Sequence, residues 1–224
     1  ATYNKTKPHY FNNKIQWVKF DYKKKINIKI FENTDLVIHL AWENLPNYTN
    51  KIHTSLELKF QKIFLKKIIQ MGIKNLFIAG TCFEYGNIEG LLNEKAKIYP
   101  ITEYGKAKNS LRVYLEKLNK TYNFKYTWGR IFYLYGKYQS RKSLYKQLLK
   151  AIEMKKTFNM SSGKQIRDYL PIEEACKLIV LLVKNNKSNK IVNICSNKKI
   201  TVEELVKKII KNNNSKIKIL YDQY

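Results

Sequence analysis

Residues 75–86 read Asn-Leu-Phe-Ile-Ala-Gly-Thr-Cys-Phe-Glu-Tyr-Gly. Leu76 to Gly80 form a continuous apolar run of strand length, and such runs belong to strands of a parallel sheet covered on both faces. Upstream, Asp35-Leu-Val-Ile-His-Leu-Ala41 is a second run of the same kind. Between the two lie a polar loop with Pro46 and Asn47 and a helical pattern through Phe60, Ile63, Phe64, Ile68 and Ile69, ending at Gly72. Downstream, after a loop holding Pro100, the spacing predicts a helix from about Tyr104 to Thr121 and then a third strand, Tyr126–Phe132. Strand, helix, strand, helix, strand at these lengths is the grammar of an α/β doubly wound parallel sheet.

From Gln139 on the character changes. A helix is predicted over 143–155, then a loop Met160–Gly163, an extended run Asp168–Ile172, a helix over 173–185 and a strand Ile191–Cys195. Thr201 followed by Glu204 is a capping box that opens a last helix. Two regions follow, 1–139 and 140–224, with no internal repeat and no low-complexity linker.

Hydrophobic content of 44% and aromatic content of 13% belong to a folded globular chain. No apolar run approaches the ~18–20 residues a membrane span needs, and the opening Ala1–Lys7 lacks the layout of a secretory signal. Cys82, Cys176 and Cys195 are an odd number with no C-x-x-C. That pattern predicts buried thiols in a reducing, cytoplasmic setting, without disulfides or a metal. The net charge is +26, but Arg112, Arg130, Arg141 and Arg167 are the only arginines. Nucleic-acid readers favour the bidentate arginine fork, so the lysines read as solvated surface and nucleic acid is not the expected partner.

Tyr104-Gly-Lys-Ala-Lys108 has the Y-x-x-x-K spacing, which puts both side chains on one helical face. An ammonium there is expected to lower the phenol's pKa and let it exchange a proton near neutrality. The spacing alone decides nothing, since Tyr3/Lys7, Tyr10/Lys14, Tyr133/Lys137 and Tyr138/Lys142 share it. Position discriminates. Thr81 stands at the carboxyl end of a predicted strand, where open α/β sheets bind ligands, and Tyr104 follows 23 residues later with one loop and no other strand between them.

Five motifs now stand in order: DLVIHLAW (35–42), GTCFEYG (80–86), PITEYGKAK (100–108), RIFYLYG (130–136) and RDYLPI (167–172). Together they resemble the extended short-chain dehydrogenase/reductases, the NAD-dependent epimerase/dehydratase family. The resemblance covers nearly the whole chain and is nearest to nucleotide-sugar 4-ketoreductases such as CDP-abequose synthase. It implies a Rossmann-like doubly wound sheet, with an NAD(P)-binding region 1–139 and a smaller C-terminal α/β nucleotide-sugar-binding region 140–224. It also implies a homodimer. Thr81 matches the hydroxyl that bonds the sugar's reacting oxygen, Tyr104 the proton donor and acceptor at C4, and Lys108 the lysine that holds the nicotinamide ribose. Ala41 matches a backbone position along the cofactor. Tyr133 occupies a place where relatives put an asparagine touching the nucleotide-sugar, and Arg167 matches the arginine that clamps the diphosphate, a task suited to a guanidinium fork. Asn4 and Lys5 occupy the place of the acid that would hold the adenosine ribose, which favours NADP over NAD.

The chain departs from that pattern in three ways. No G-x-G-x-x-G or G-x-x-G-x-x-G occurs, so the first βαβ unit with its phosphate cradle is missing. Residues 51–74 contain no asparagine, where relatives often carry one in the helix after the DLVIHLAW strand, and the C-terminal end of the substrate region is incomplete. Both ends therefore read as cut from a longer frame, and the isolated chain is expected to bind NAD(P) poorly. Three functions follow: a 4-ketoreductase of surface-polysaccharide deoxysugars, a C4 epimerase or dehydratase of the same fold, or a non-catalytic relative that binds RNA or protein. His39 reads as a satisfied core histidine, while Glu84, Trp42 and His53 are left undecided between site and loop.

Overall fold

The computed structural model describes residues 1–8, 12–24, 28–185 and 189–221. Tyr10, one of the spacing copies, and Tyr224, at the expected unfinished strand, lie outside them. In chain order the elements are β1 (Thr2–Tyr3), β2 (Val18–Lys19), β3 (Val37–His39), α1 (Leu58–Gln70), β4 (Asn75–Thr81), α2 (Glu103–Tyr122), β5 (Lys125–Ile131) and β6 (Tyr133–Tyr135). These are followed by α3 (Leu144–Glu153), β7 (Phe158–Met160), β8 (Ile166–Pro171), α4 (Ile172–Lys184), β9 (Lys190–Ile194), β10 (Lys199–Thr201), α5 (Val202–Asn212) and β11 (Ile219–Tyr221). They form two compact units, one of residues 1–129 with 186–192, the other of 130–185 with 193–224.

The first unit holds the sheet in the order β3-β4-β5-β9. β3 and β4 run parallel, with Val37 opposite Leu76 and His39 opposite Ile78. Strand β3 is shorter than its apolar run, and side chains bond the carbonyls on either side of it. Asn75 Nδ2 donates to Asp35 O at 3.0 Å and Gln61 Nε2 to Ala41 O at 3.0 Å. Phe64, Leu65, Ile68 and Ile69 of α1 and Leu111, Leu115 and Leu118 of α2 cover this sheet in one apolar core with Leu76, Ile78 and Trp128. Their spacing of three and four is the helical stripe read from the sequence. Helix α2 starts where Thr102 accepts from Gly105 N at 3.1 Å and ends on the left-handed Asn123, φ 43°.

In the second unit β8 lies between β10, antiparallel, and β6, parallel, while β11 pairs with β7 in parallel. Leu148, Phe158, Met160, Val202, Leu205, Val206 and Ile209 form its core. The capping box read at Thr201 and Glu204 is formed: Glu204 N donates to Thr201 Oγ1 at 3.1 Å and Thr201 N to Glu204 Oε2 at 2.7 Å. None of the three cysteines is in a disulfide, and only Cys82 is buried; Cys176 is exposed on α4 and Cys195 is intermediate. The expectation of buried thiols thus fails for two of the three, since α4 turns Cys176 outward with Lys177 and Val180.

Candidate active site

Strand β4 ends at Thr81, and the chain turns at once into a single 3₁₀ turn, Cys82–Glu84. The turn is fixed by a reciprocal cap. Phe83 N donates to Thr81 Oγ1 at 3.3 Å, and Thr81 N donates to Glu84 Oε1 at 2.9 Å. Glu84 is fully buried and also accepts from Trp128 Nε1 at 2.9 Å, with Arg112 Nε 4.0 Å away. Glu84 therefore shapes the loop that aims Thr81. Gly80 is required by the same packing, because a Cβ there would collide with Trp128 Nε1 and come within 2.7 Å of Glu84 Oε1.

The first turn of α2 meets this loop closely. A Cβ on Gly105 would lie 2.5 Å from Phe83 O, so a glycine is needed between Tyr104 and Lys108. Tyr104 N donates to Tyr48 O at 3.0 Å, which ties the helix start to the loop after β3. The Thr81 hydroxyl faces the Tyr104 phenol and acts to lower its pKa. Lys108, one turn further on, is buried, and its Nζ donates to Ala79 O at 2.7 Å. That ammonium sits 5.8 Å from the centre of the Tyr104 ring and 4.0 Å from the centre of the Trp42 ring.

Among the described residues four rings surround Tyr104: Trp42 at 5.7 Å, His53 at 5.5 Å, Tyr48 at 5.6 Å and Phe83 at 6.1 Å. His53 is fully buried and accepts from Trp42 Nε1 at 3.1 Å on Nδ1, while its Nε2 lies 2.8 Å from Asn47 O. A nitrogen facing a carbonyl carries the proton, so His53 is the Nε2–H tautomer. Sequence reading left Trp42 and His53 undecided and did not name Tyr48 and Phe83 as site residues. Their signal was only the density of rings in 42–53 and 83–85.

Burial sets the proton chemistry here. It pushes the Tyr104 phenol upward, against the Thr81 hydroxyl that pulls it down. The expected lowering by Lys108 is not what this geometry produces, because the ammonium is turned to Ala79 O and burial outweighs it. Burial lowers Lys108 to about 7, with Glu84 and Glu57 opposing that fall. His39 is pushed down to about 4 by burial and bonds Gln61 Oε1 at 2.5 Å through Nε2. It is a satisfied core histidine.

The remaining residues fall into two groups. Ala41 receives the Gln61 amide on its carbonyl, and Gln61 also donates to Glu57 Oε1 at 3.0 Å. Glu57 in turn accepts from Tyr22 Oη at 2.5 Å and pairs with Lys23 at 3.3 Å; Lys23 also pairs with Glu43, and Glu43 accepts from Asn4 Nδ2 at 3.2 Å. Asn4 and Ala41 are thus joined by one polar network, while Lys5 is exposed. In the second unit Arg167 stacks its guanidinium 5.3 Å over the Tyr133 ring and donates to Ile166 O at 2.8 Å. Asp168 is engaged elsewhere, accepting from Ser196 N at 2.7 Å, so Arg167 does not pair with it.

A dinucleotide's nicotinamide ribose fits this donor set. Lys108 Nζ is a buried triple donor with a single hydrogen-bond acceptor among the described residues, which leaves two N–H groups for vicinal hydroxyls. Among the described residues no group of three His, Cys, Asp or Glu side chains comes together, and no helix is long and apolar enough to cross a membrane.

Known proteins carry the same architecture. A UDP-N-acetylglucosamine 4-epimerase from Methanobrevibacter ruminantium M1, solved with UDP-N-acetylmuramic acid, is 22% identical with a TM-score of 0.81, over 92% of this chain and 70% of that one. A dTDP-glucose 4,6-dehydratase from Streptomyces venezuelae, solved with NAD, has a TM-score of 0.78 at 17% identity, over 95% of this chain and 69% of that one. A dTDP-6-deoxy-L-talose 4-dehydrogenase (NAD(+)) of Aggregatibacter actinomycetemcomitans is 29% identical over 199 residues, 88% of this chain and 73% of its own length. The model of the NAD dependent epimerase/dehydratase family matches residues 2–195, and to that family the chain belongs.

Proposed function

We propose that the protein is an NAD(P)-dependent oxidoreductase acting at C4 of a nucleoside-diphosphate sugar, and that it works as a 4-ketoreductase. The observation that carries this reading is the Thr81 hydroxyl at the end of β4 facing the Tyr104 phenol in the first turn of α2, with the buried Lys108 one helical turn away. A bound nicotinamide cofactor supplies the hydride. Thr81 orients the sugar's C4 oxygen, and Tyr104 delivers the proton to it. The raised pKa of Tyr104 keeps the phenol protonated at neutral pH, which suits donating a proton to a ketone better than removing one from an alcohol. The Thr81 hydroxyl stabilises the phenolate that remains. Lys108 offers its two remaining N–H groups to the ribose.

In this reading the first unit takes the dinucleotide, with Ala41 alongside it, and the region from about 140 on takes the nucleotide-sugar. Tyr133 and Arg167, already stacked on one another, form the clamp for the diphosphate. NAD is favoured over NADP. The 4-dehydrogenase relative carries NAD(+) in its name, and the dTDP-glucose 4,6-dehydratase neighbour was solved with NAD. No residue of the chain is assigned to the pyrophosphate.

The assay supplies the protein with a nucleoside-diphosphate 4-keto-6-deoxy sugar and either NADH or NADPH. Stoichiometric oxidation is expected, faster with NADH, and at least ~10²-fold slower in Tyr104→Phe. Interconversion of C4 epimers without net oxidation would move the assignment to epimerase. A salt-sensitive RNA complex without dinucleotide binding would replace both with a binding role.

A further inference from the structure

Trp42 presents its ring face to the Lys108 ammonium at 4.0 Å, while its indole N–H is taken by His53 Nδ1 at 3.1 Å. The far nitrogen of His53 is anchored to Asn47 O at 2.8 Å. An ammonium over the centre of an indole is bound by the ring's negative face, and the contact strengthens where water is excluded. Both Lys108 and His53 are buried, so water is excluded here. A tryptophan ring can turn about its side-chain torsions, but not when its N–H is fixed to a buried histidine that is itself fixed at its other end. The chain Asn47–His53–Trp42–Lys108 therefore runs from the loop after β3 to the lysine on α2 without a gap.

We propose that Trp42, aimed by His53, is a positioning residue that holds the Lys108 ammonium charged and in place. The inference deepens the proposed function, because it concerns the lysine assigned there to the ribose. It needs no cofactor and no turnover to be tested.

Several groups face Lys108 besides the indole. Glu84 comes from the turn after β4 and Glu57 from the turn before α1, and both favour its charged form. His39 on β3 lies close enough to be disfavoured by the ammonium, and Tyr104 shares its helix face. Removing the indole while keeping the pocket apolar should leave burial unopposed by the ring and lower the lysine further. Lys108 is already at about 7, far from the ordinary lysine value, so its titration stands apart from those of exposed lysines.

The experiment follows the ε-methylene resonances of ¹³C-labelled lysine by NMR between pH 5 and 10, with Lys108→Met to assign the signal. The variants are Trp42→Leu, Trp42→Phe, His53→Asn and His53→Gln, with the dispersion of each spectrum confirming that it is folded. Trp42→Leu is expected to move the Lys108 midpoint down by about half to one pH unit, and Trp42→Phe by less, since phenylalanine keeps a ring face. Asparagine places its amide where His53 has Nδ1, and glutamine places it where His53 has Nε2. His53→Asn should therefore keep the wild-type midpoint, and His53→Gln should shift it toward that of Trp42→Leu. A midpoint unmoved or raised in Trp42→Leu overturns the inference, as does identical behaviour of the two His53 variants. Loss of sugar turnover with these shifts intact would overturn only the enzymatic reading.

Discussion

At the scale of the residue, the site depends on which polar groups accept burial. His39 does so as a neutral ring, bonded to Gln61 and packed at 5.2 Å against Phe64. Its pKa falls from an ordinary 6.5 to about 4 in the fold. Between those values the unfolded chain binds a proton that the folded one refuses, so stability is complete above pH 6.5 and is lost as pH falls toward 4. The loss attributable to His39 is about 3 kcal/mol. Urea midpoints at pH 4.5 and pH 7 are expected to diverge in the wild type and to converge in His39→Leu. The histidine's role could be read from its place inside an apolar run. Its partner Gln61 could not, because nothing in a helical sequence says which polar residue will turn inward. The same holds for Glu57, a buried carboxylate that looks in sequence like any surface acid.

At the scale of the element, two glycines carry the approach of α2 to the end of β4. Glycine to alanine inside a helix ordinarily stabilises by up to about 1 kcal/mol. Gly105→Ala is expected to do the opposite and destabilise by about 1–3 kcal/mol, because the new methyl would sit 2.5 Å from Phe83 O. Chemical denaturation measures the sign, and the same change should reduce turnover by shifting Tyr104 away from Thr81. Elements such as α1, α2, β4 and β5 were legible in the sequence, since each has an apolar pattern of its own period. The places of Thr81 at the end of β4 and of Tyr104 at the start of α2 were legible too, from order and separation. The pairing of β6 with β8 and of β7 with β11 was not, because strands of three residues hold too few side chains to show a period. The ring cluster about Tyr104 also escaped sequence reading, as Trp42, Tyr48, His53 and Phe83 reach it from separate segments.

At the scale of the whole molecule, the formal charge of +26 acts on stability before it acts on any partner. Like charges repel one another in the compact state, and salt shortens their reach from about 30 Å at 0.01 M to about 8 Å at 0.15 M. The melting temperature is therefore expected to rise between those salt concentrations, by about 2–4 °C for each kcal/mol of repulsion removed. Scanning calorimetry at the two ionic strengths checks it, and an unchanged or falling melting temperature would show that the lysines are compensated locally. Few acids are available for that, with 17 Asp and Glu against 43 Lys and Arg.

The chain's path has a consequence for its birth on the ribosome. The first unit is not finished when residue 129 has been made, for its sheet is completed beside β5 by residues of β9, and β9 begins only at Lys190. At about 5–20 residues per second, the interval between the end of β5 and the arrival of β9 lasts about 3–12 s. Throughout that interval the nascent chain carries β5, mostly buried in the finished fold, with one edge unpaired. An open apolar edge of this kind is an invitation to pair with a neighbouring nascent chain. Lys125, exposed at the start of β5, and Arg130 near its end are the two charges on that strand placed to discourage it.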